Sequence, residues 1–362
     1  LGFPVRDTQR THEGGNVCYF ERGMIIFRPD HGSFVLYGEL YLGYRKGGGV
    51  ELNSIGLPIE DQGITADGGA VAVFDFGNLY WSKKTNTFAV RGDILKRYRM
   101  MSGPDGNLGY PISNEEPVKN KNGTEVGRRS TFESGSIFWN KTAGASPLRG
   151  DLIKLWLQEK DNLEILGFPK SDLMRSKNGV CIFANFENGV LAYYHSDESF
   201  KVFTRLGLKI LSFQGFGQDN PIFGSDTPQD LKVHVSVTNN KGFKFEALFN
   251  PSDTDHIVVN QIVTEVPVTD GNMILKLHVE GIDKDDTSDD DRLGVIHSEC
   301  GIETAWNMDV SPIKERNGDF EVSYGIDPMV RIDAKDSEHF RENLFWSFKN
   351  NQASEHTLSR EI

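Results

Sequence analysis

Cysteine is scarce in this 362-residue chain: Cys18, Cys181 and Cys300 are the whole complement, and no Cys-x-x-Cys spacing occurs. At most one disulfide can form, and a zinc site built from cysteine pairs is not expected. Long apolar runs are missing too. None approaches the roughly 18 residues that a membrane-crossing helix requires. Positive charge is in short supply, and its distribution is informative. Residues 1–203 hold 24 acids and 24 Lys or Arg, whereas residues 204–362 hold 28 acids and 15 bases, so the net charge of −13 lies entirely in the second part. With no basic stripe to meet phosphates, nucleic acid is not an expected partner.

Catalytic signatures are absent as well. There is no Gly-x-Ser-x-Gly elbow, His-Glu-x-x-His helix, phosphate loop or dinucleotide fingerprint, and the nine His are scattered. The expectation is a non-enzyme with no catalytic residues, although a convergent triad leaves no motif to find. No secretory signal is visible. The chain nevertheless opens on Leu1-Gly2-Phe3-Pro4 without Met, which leaves room for a leader or an upstream domain.

What is present is repetition. The 24 Phe and 38 Gly suit many short strands and turns. Leu1-Gly2-Phe3-Pro4 returns as Ile55-Gly56-Leu57-Pro58, Leu108-Gly109-Tyr110-Pro111 and Leu166-Gly167-Phe168-Pro169, at spacings of 54, 53 and 58. A second motif follows each copy: Phe20-Glu21-Arg22-Gly23, Phe74-Asp75-Phe76-Gly77, Phe132-Glu133-Ser134-Gly135 and Phe186-Glu187-Asn188-Gly189. Apolar residues flanking an acid-x-Gly turn predict a β-hairpin. The first three copies close on Gly-acid-apolar with an aromatic four residues after the apolar position: Leu40 and Tyr44, Ile94 and Tyr98, Leu152 and Trp156. That spacing puts both on one face of a short helix. A unit this small cannot bury its own face, so neighbours must pack together.

These motifs resemble the LGFP repeat family, found in actinobacterial cell-wall proteins, in mycolyltransferases and beside peptidoglycan amidase domains. The resemblance covers residues 1–203 as four copies (1–54, 55–107, 108–165 and 166–203). It implies a ring-like, propeller-type array at the cell envelope or outside the cell, attached to envelope polysaccharide. The fourth copy departs from the pattern, reading Phe203-Thr204-Arg205-Leu206 where a helix should start. Cys18 and Cys181 could meet if the ring closes; otherwise all three cysteines are small buried hydrophobes. Carbohydrate binding needs flat rings beside hydrogen-bonding acids. The recurrent Glu21, Asp75, Glu133 and Glu187, with Trp81, Trp139 and Tyr193, are the candidates. Two plainer roles compete: rings that pack the core, and acids that cap a turn through backbone N–H groups.

From residue 204 the period changes to two, as in Leu231-Lys232-Val233-His234-Val235 and Leu275-Lys276-Leu277-His278-Val279. Further strands are expected near 205–213, 243–249, 257–266, 292–298, 321–326 and 329–333. Together they predict an antiparallel β-sandwich over 204–335, followed by an amphipathic helix around Phe340, Leu344, Phe345 and Phe348 and a tail within 336–362. Six Asp crowd the nine positions 283–291. Such a loop suits calcium, which takes six to eight oxygens in irregular geometry, but it lacks the EF-hand pattern. It resembles the calcium-dependent phospholipid-binding sandwich first recognised in protein kinase C. That resemblance implies calcium held by Asp219, Asp226, Asp283, Asp285 and Asp291. It also implies lipid contact through Phe216, Ile222 and Phe223, although the basic patch of membrane-binding members is missing. Three functions follow: a non-catalytic carbohydrate-binding protein with a calcium-stabilised sandwich; a calcium-dependent membrane-associating effector or toxin part; and the targeting portion of a cell-wall hydrolase.

Overall fold

The computed structural model describes residues 1–12, 14–52, 54–158, 162–196, 199–216, 231–251, 254–283, 291–307 and 312–328. Among the described residues the protein is mainly β, with six open four-stranded antiparallel sheets. Each copy of the repeat forms one sheet by simple meander. In the first copy the strands are Gln9–Arg10, Asn16–Phe20, Gly23–Arg28 and Gly32–Tyr37; in the third they are Glu116–Lys119, Glu125–Phe132, Gly135–Asn140 and Gly144–Leu148. The acid-x-Gly tetrapeptide is the tight turn of the central hairpin, with Phe20 opposite Gly23 and Phe132 opposite Gly135.

Helices Gly38–Lys46, Gly92–Met100 and Gly150–Gln158 follow the first three sheets. Each begins on a glycine with positive φ (62°, 59° and 50°), which lets the chain turn sharply out of the last strand. The predicted stripe is buried in all three: Leu40 with Tyr44, Ile94 with Tyr98, and Leu152 with Trp156.

Two compact units divide the described residues. One comprises residues 1–164 with 168–172; the other comprises 165–167 and 173 onward. In the first unit, each copy is tied to the next. The Tyr44 ring stacks on Phe74 at 4.9 Å and its hydroxyl donates to Gly56 O at 3.0 Å. Tyr98 repeats this against Phe132 at 4.5 Å and Gly109 O at 2.7 Å. Side chains after each Leu-Gly motif also cover the exposed strand edge of the preceding copy, where Asp61 accepts from Val35 N–H and Asn114 from Ala89 N–H, both at 2.9 Å.

The second unit takes in strands on both sides of residue 203. The fourth sheet (Met174–Arg175, Cys181–Phe186, Gly189–Tyr194 and Ser199–Phe203) shares one core with the strands that follow. Phe203 packs edge-on against the fully buried Trp306 at 4.8 Å, and Tyr194 Oη donates to Ile302 O at 2.6 Å. No helix follows Phe203; the chain passes directly into strand Arg205–Gly215. Two sheets complete the unit. One holds His256–Pro267, Arg205–Gly215, Phe320–Pro328 and Ile313–Asn317 in that order, and the other Lys244–Phe249, Leu231–Asn239, Leu275–Asp283 and Asp291–Cys300. Alternate residues of the central strands, such as Val233, Val235, Val237, Leu277 and Val279, face the common core, as period two requires. Strand Ile313–Asn317 was not expected; it has a single apolar residue and is an exposed edge. The strand expected at 329–333 and the helix expected within 336–362 lie outside the described residues. All three cysteines are free thiols, Cys181 and Cys300 buried, which sets aside a Cys18–Cys181 bridge.

Candidate functional site

The recurrent acid and the Leu-Gly motif form one device. Glu21 Oε2 accepts a hydrogen bond from Phe3 N–H at 3.2 Å, Asp75 Oδ2 from Leu57 N–H at 2.8 Å, and Glu133 Oε2 from Tyr110 N–H at 2.9 Å. The motif glycine has positive φ in each copy, +83°, +84°, +68° and +70°. It also leaves space for the carboxylate: a Cβ on Gly109 would lie 2.4 Å from Glu133 Oε2, and one on Gly167 2.5 Å from Glu187 Oε2. Glu21, Asp75 and Glu133 thus each bind the backbone of the loop that carries the motif glycine. Glu133 does more. Its other oxygen meets Lys84 Nζ at 2.8 Å. Burial pulls its carboxyl up, but Lys84 and the Tyr110 N–H outweigh that and keep it below the usual value.

The candidate rings are largely engaged. Trp81 and Trp139 are half-buried against the cores of the first unit. Trp139 Nε1 donates to Asp93 Oδ2 at 3.1 Å. Tyr193 is only 9% exposed and packs on His195 and Phe200, so its faces are covered by protein.

A cleft of about 820 Å³ opens beside Glu133 in the third copy. Asn107, Arg129, Ser134, Ser136, Arg149 and Lys154 bring amide, hydroxyl and cationic groups to its wall. The charges there are balanced unequally. Arg129 is paired with Glu116 at 3.0 Å. Arg149, by contrast, has no carboxylate partner among the described residues; Asp172, the acid that influences it, is paired with Arg97. Burial lowers the Arg149 pKa and Asp172 raises it, and a guanidinium stays charged throughout.

Comparing copies explains the difference. Arg91 occupies the same place in the second copy, just before the helix, and pairs with Glu115 at 3.2 Å. Glu115 stands seven residues after Leu108, whereas seven residues after Leu166 stands Leu173. The fourth copy thus places no acid at that position, and its Asp172, one residue earlier, is paired with Arg97. That comparison was available in the sequence, but reading it requires knowing that Arg91 and Glu115 touch.

In the second unit, Asp283 and Asp291 are register partners at the mouth of a hairpin. Asp285, in the loop between them, and Asp219 and Asp226 lie outside the described residues, as do Ile222 and Phe223. Phe216 is described, and its ring lies 3.9 Å beneath the Arg316 guanidinium. Among the described residues, no group of three or more His, Cys, Asp or Glu side chains is placed to hold a metal, and no helix is long and apolar enough to cross a membrane.

No curated protein matches the chain. Among solved structures, human GIVD cytosolic phospholipase A2 is similar at 15% identity and a TM-score of 0.25, covering 35% of this chain and 17% of that one. A single domain of plant Extended Synaptotagmin 1 aligns at 12% identity and a TM-score of 0.24, covering 35% of this chain and 95% of that one. The extracellular domain of the one component system BT4673 from B. thetaiotaomicron aligns at 12% identity and a TM-score of 0.12, covering 80% of this chain and 36% of that one. The chain therefore spans under a fifth of the phospholipase. Residues 1–51, 55–106 and 108–160 match the family model of the LGFP repeat, and the unit that holds the cleft is accordingly an array of three LGFP repeats.

Proposed function

We propose that the protein is a non-catalytic binding protein of the cell surface, whose LGFP array attaches to an acidic carbohydrate of the envelope or extracellular matrix through the cleft of the third repeat. The observation that carries this reading is the Arg149 guanidinium, without a carboxylate partner among the described residues, at a cleft walled by hydroxyls and an amide. A guanidinium fork matches a carboxylate bidentately, and Asn107, Ser134 and Ser136 suit sugar hydroxyls. With the aromatic rings engaged elsewhere, charge and hydrogen bonds replace ring stacking. The test compares retention on immobilised uronate-containing and neutral polysaccharides. Acidic polymers should retain the protein in a salt-dependent way, and Arg149→Gln should lower that retention at least tenfold while melting unchanged. Equal binding of both polymers, or full retention by Arg149→Gln, would refute the assignment.

A second reading rests on the Asp283–Asp291 register. The backbone register sets two Asp of the acidic stretch 283–291 opposite each other, and calcium, which takes six to eight oxygens in irregular geometry, is the cation that such a stretch suits. In this reading calcium stabilises the sandwich and leads it to anionic lipid. Millimolar calcium should then raise the melting temperature of the second unit, and calcium should drive co-sedimentation with phosphatidylserine vesicles. An unchanged melting temperature removes it.

A further inference from the structure

On the sheet of the second unit that carries Asp283, two histidines face each other away from the core. His278 and His297 are register partners on the antiparallel strands Leu275–Asp283 and Asp291–Cys300. Their chain neighbours Leu277, Val279 and Ile296 are buried, so period-two alternation sends both imidazoles outward. The Nδ1 atoms are 3.2 Å apart, with ring centroids 4.6 Å apart and planes inclined at 53°. We propose that His278 and His297 form a two-histidine clamp for a borderline divalent transition metal such as Zn²⁺, Cu²⁺ or Ni²⁺.

The bite distance supports this assignment. Two imidazole nitrogens each about 2.0–2.1 Å from a tetrahedral metal stand about 3.3 Å from one another. The two nitrogens thus already stand at that spacing, and binding exchanges one N–H···N hydrogen bond for two metal–nitrogen bonds while the Nδ1 proton of the donor ring moves to its Nε2, so two neutral imidazoles release no net proton. The pair lies on the exposed side of the sheet. Ser236 lies directly across from His278 on the adjoining strand, and His234 is one pair further on, opposite Glu280. Glu280 is engaged by Arg292 at 2.5 Å. Burial, then His297, His234 and Arg292, lower the His278 pKa against the opposing pull of Glu280, which favours the neutral ligand form. Imidazole ligands select these metals over calcium and magnesium, so this site is chemically distinct from the carboxylate loop.

The experiment is titration of the full chain with Zn²⁺ and Cu²⁺, read by calorimetry and by Cu²⁺ electron paramagnetic resonance. The expected result is one equivalent bound, reversible by chelator, with two equatorial nitrogens. His278→Gln and His297→Gln should each weaken binding at least tenfold and leave one nitrogen, while His234→Gln binds like the parent; metal-free melting of each variant checks the fold. Absence of binding, or binding that survives the double variant His278→Gln/His297→Gln, overturns the proposal.

Discussion

Replacing Gly109 by alanine, alone and together with Glu133→Ala, tests whether glycine and acid act as a unit. At a φ of +68° an alanine costs about 1.5 kcal/mol in backbone strain. Its Cβ would lie 2.4 Å from Glu133 Oε2, so the carboxylate must swing away and surrender the Tyr110 N–H. A hydrogen bond to a charged acceptor contributes about 1.5–3 kcal/mol. The Glu133 side chain is 22% exposed, so the low end, about 1.5 kcal/mol, applies. Gly109→Ala should therefore cost about 3 kcal/mol. Glu133→Ala alone should cost about 1.5 kcal/mol, because the ion pair it also removes involves an exposed lysine and adds little. With the carboxylate already gone, only strain remains for the alanine. The double variant should thus lose about 3 rather than about 4.5 kcal/mol, a coupling of about 1.5 kcal/mol. Hydrogen exchange at amides 108–112 and 131–135 of the full chain reads these local stabilities. Penalties that simply add refute the reasoning.

Other expectations follow from the same geometry. Tyr98→Phe deletes the bond to Gly109 O and should cost about 1–2 kcal/mol, seen as faster exchange in both the second and third repeats. Phe183→Ala should cost about 3–5 kcal/mol and abolish exchange protection in strands 231–239 and 275–283 while leaving residues 16–148 protected; loss confined to the fourth sheet would contradict the shared core. The folded Glu133 carboxyl lies below its ordinary value of 4.5, so the native state binds fewer protons than the unfolded one. Its contribution is complete above about pH 4.5 and fades as pH falls through the folded value. Protection at Tyr110, corrected for intrinsic exchange, should therefore drop on acidification in the parent and stay flat in Glu133→Gln.

The sequence made the repeat legible because four copies keep the same residue types in register, and period two made most of the sandwich strands legible. The role of the acids was harder to read, since their partner is a backbone N–H about twenty residues upstream, which has no residue signature. Strand Ile313–Asn317 lacked apolar alternation because an edge needs little burial. Repetition and burial end at different places: repetition stops at Phe203, but burial does not, since Phe183, Tyr194 and Phe203 pack with Trp306 and the later strands. The facing of His278 and His297 depends on a strand register that neither residue announces, and the cleft depends on an acid that one copy does not place at the matching position.

In the first unit, the phenols that reach from the first two helices to the following glycine carbonyl set the grammar by which such an array can change length. Splicing in one whole period leaves every donor with an acceptor. A cut that breaks the period would strand a phenol on one side of the scar and a carbonyl on the other. Copy number can therefore drift through recombination while copy boundaries stay fixed. Because strand Arg205–Gly215 stands where a fourth helix would begin, no donor is available there for a further copy, and new repeats can enter only upstream of it.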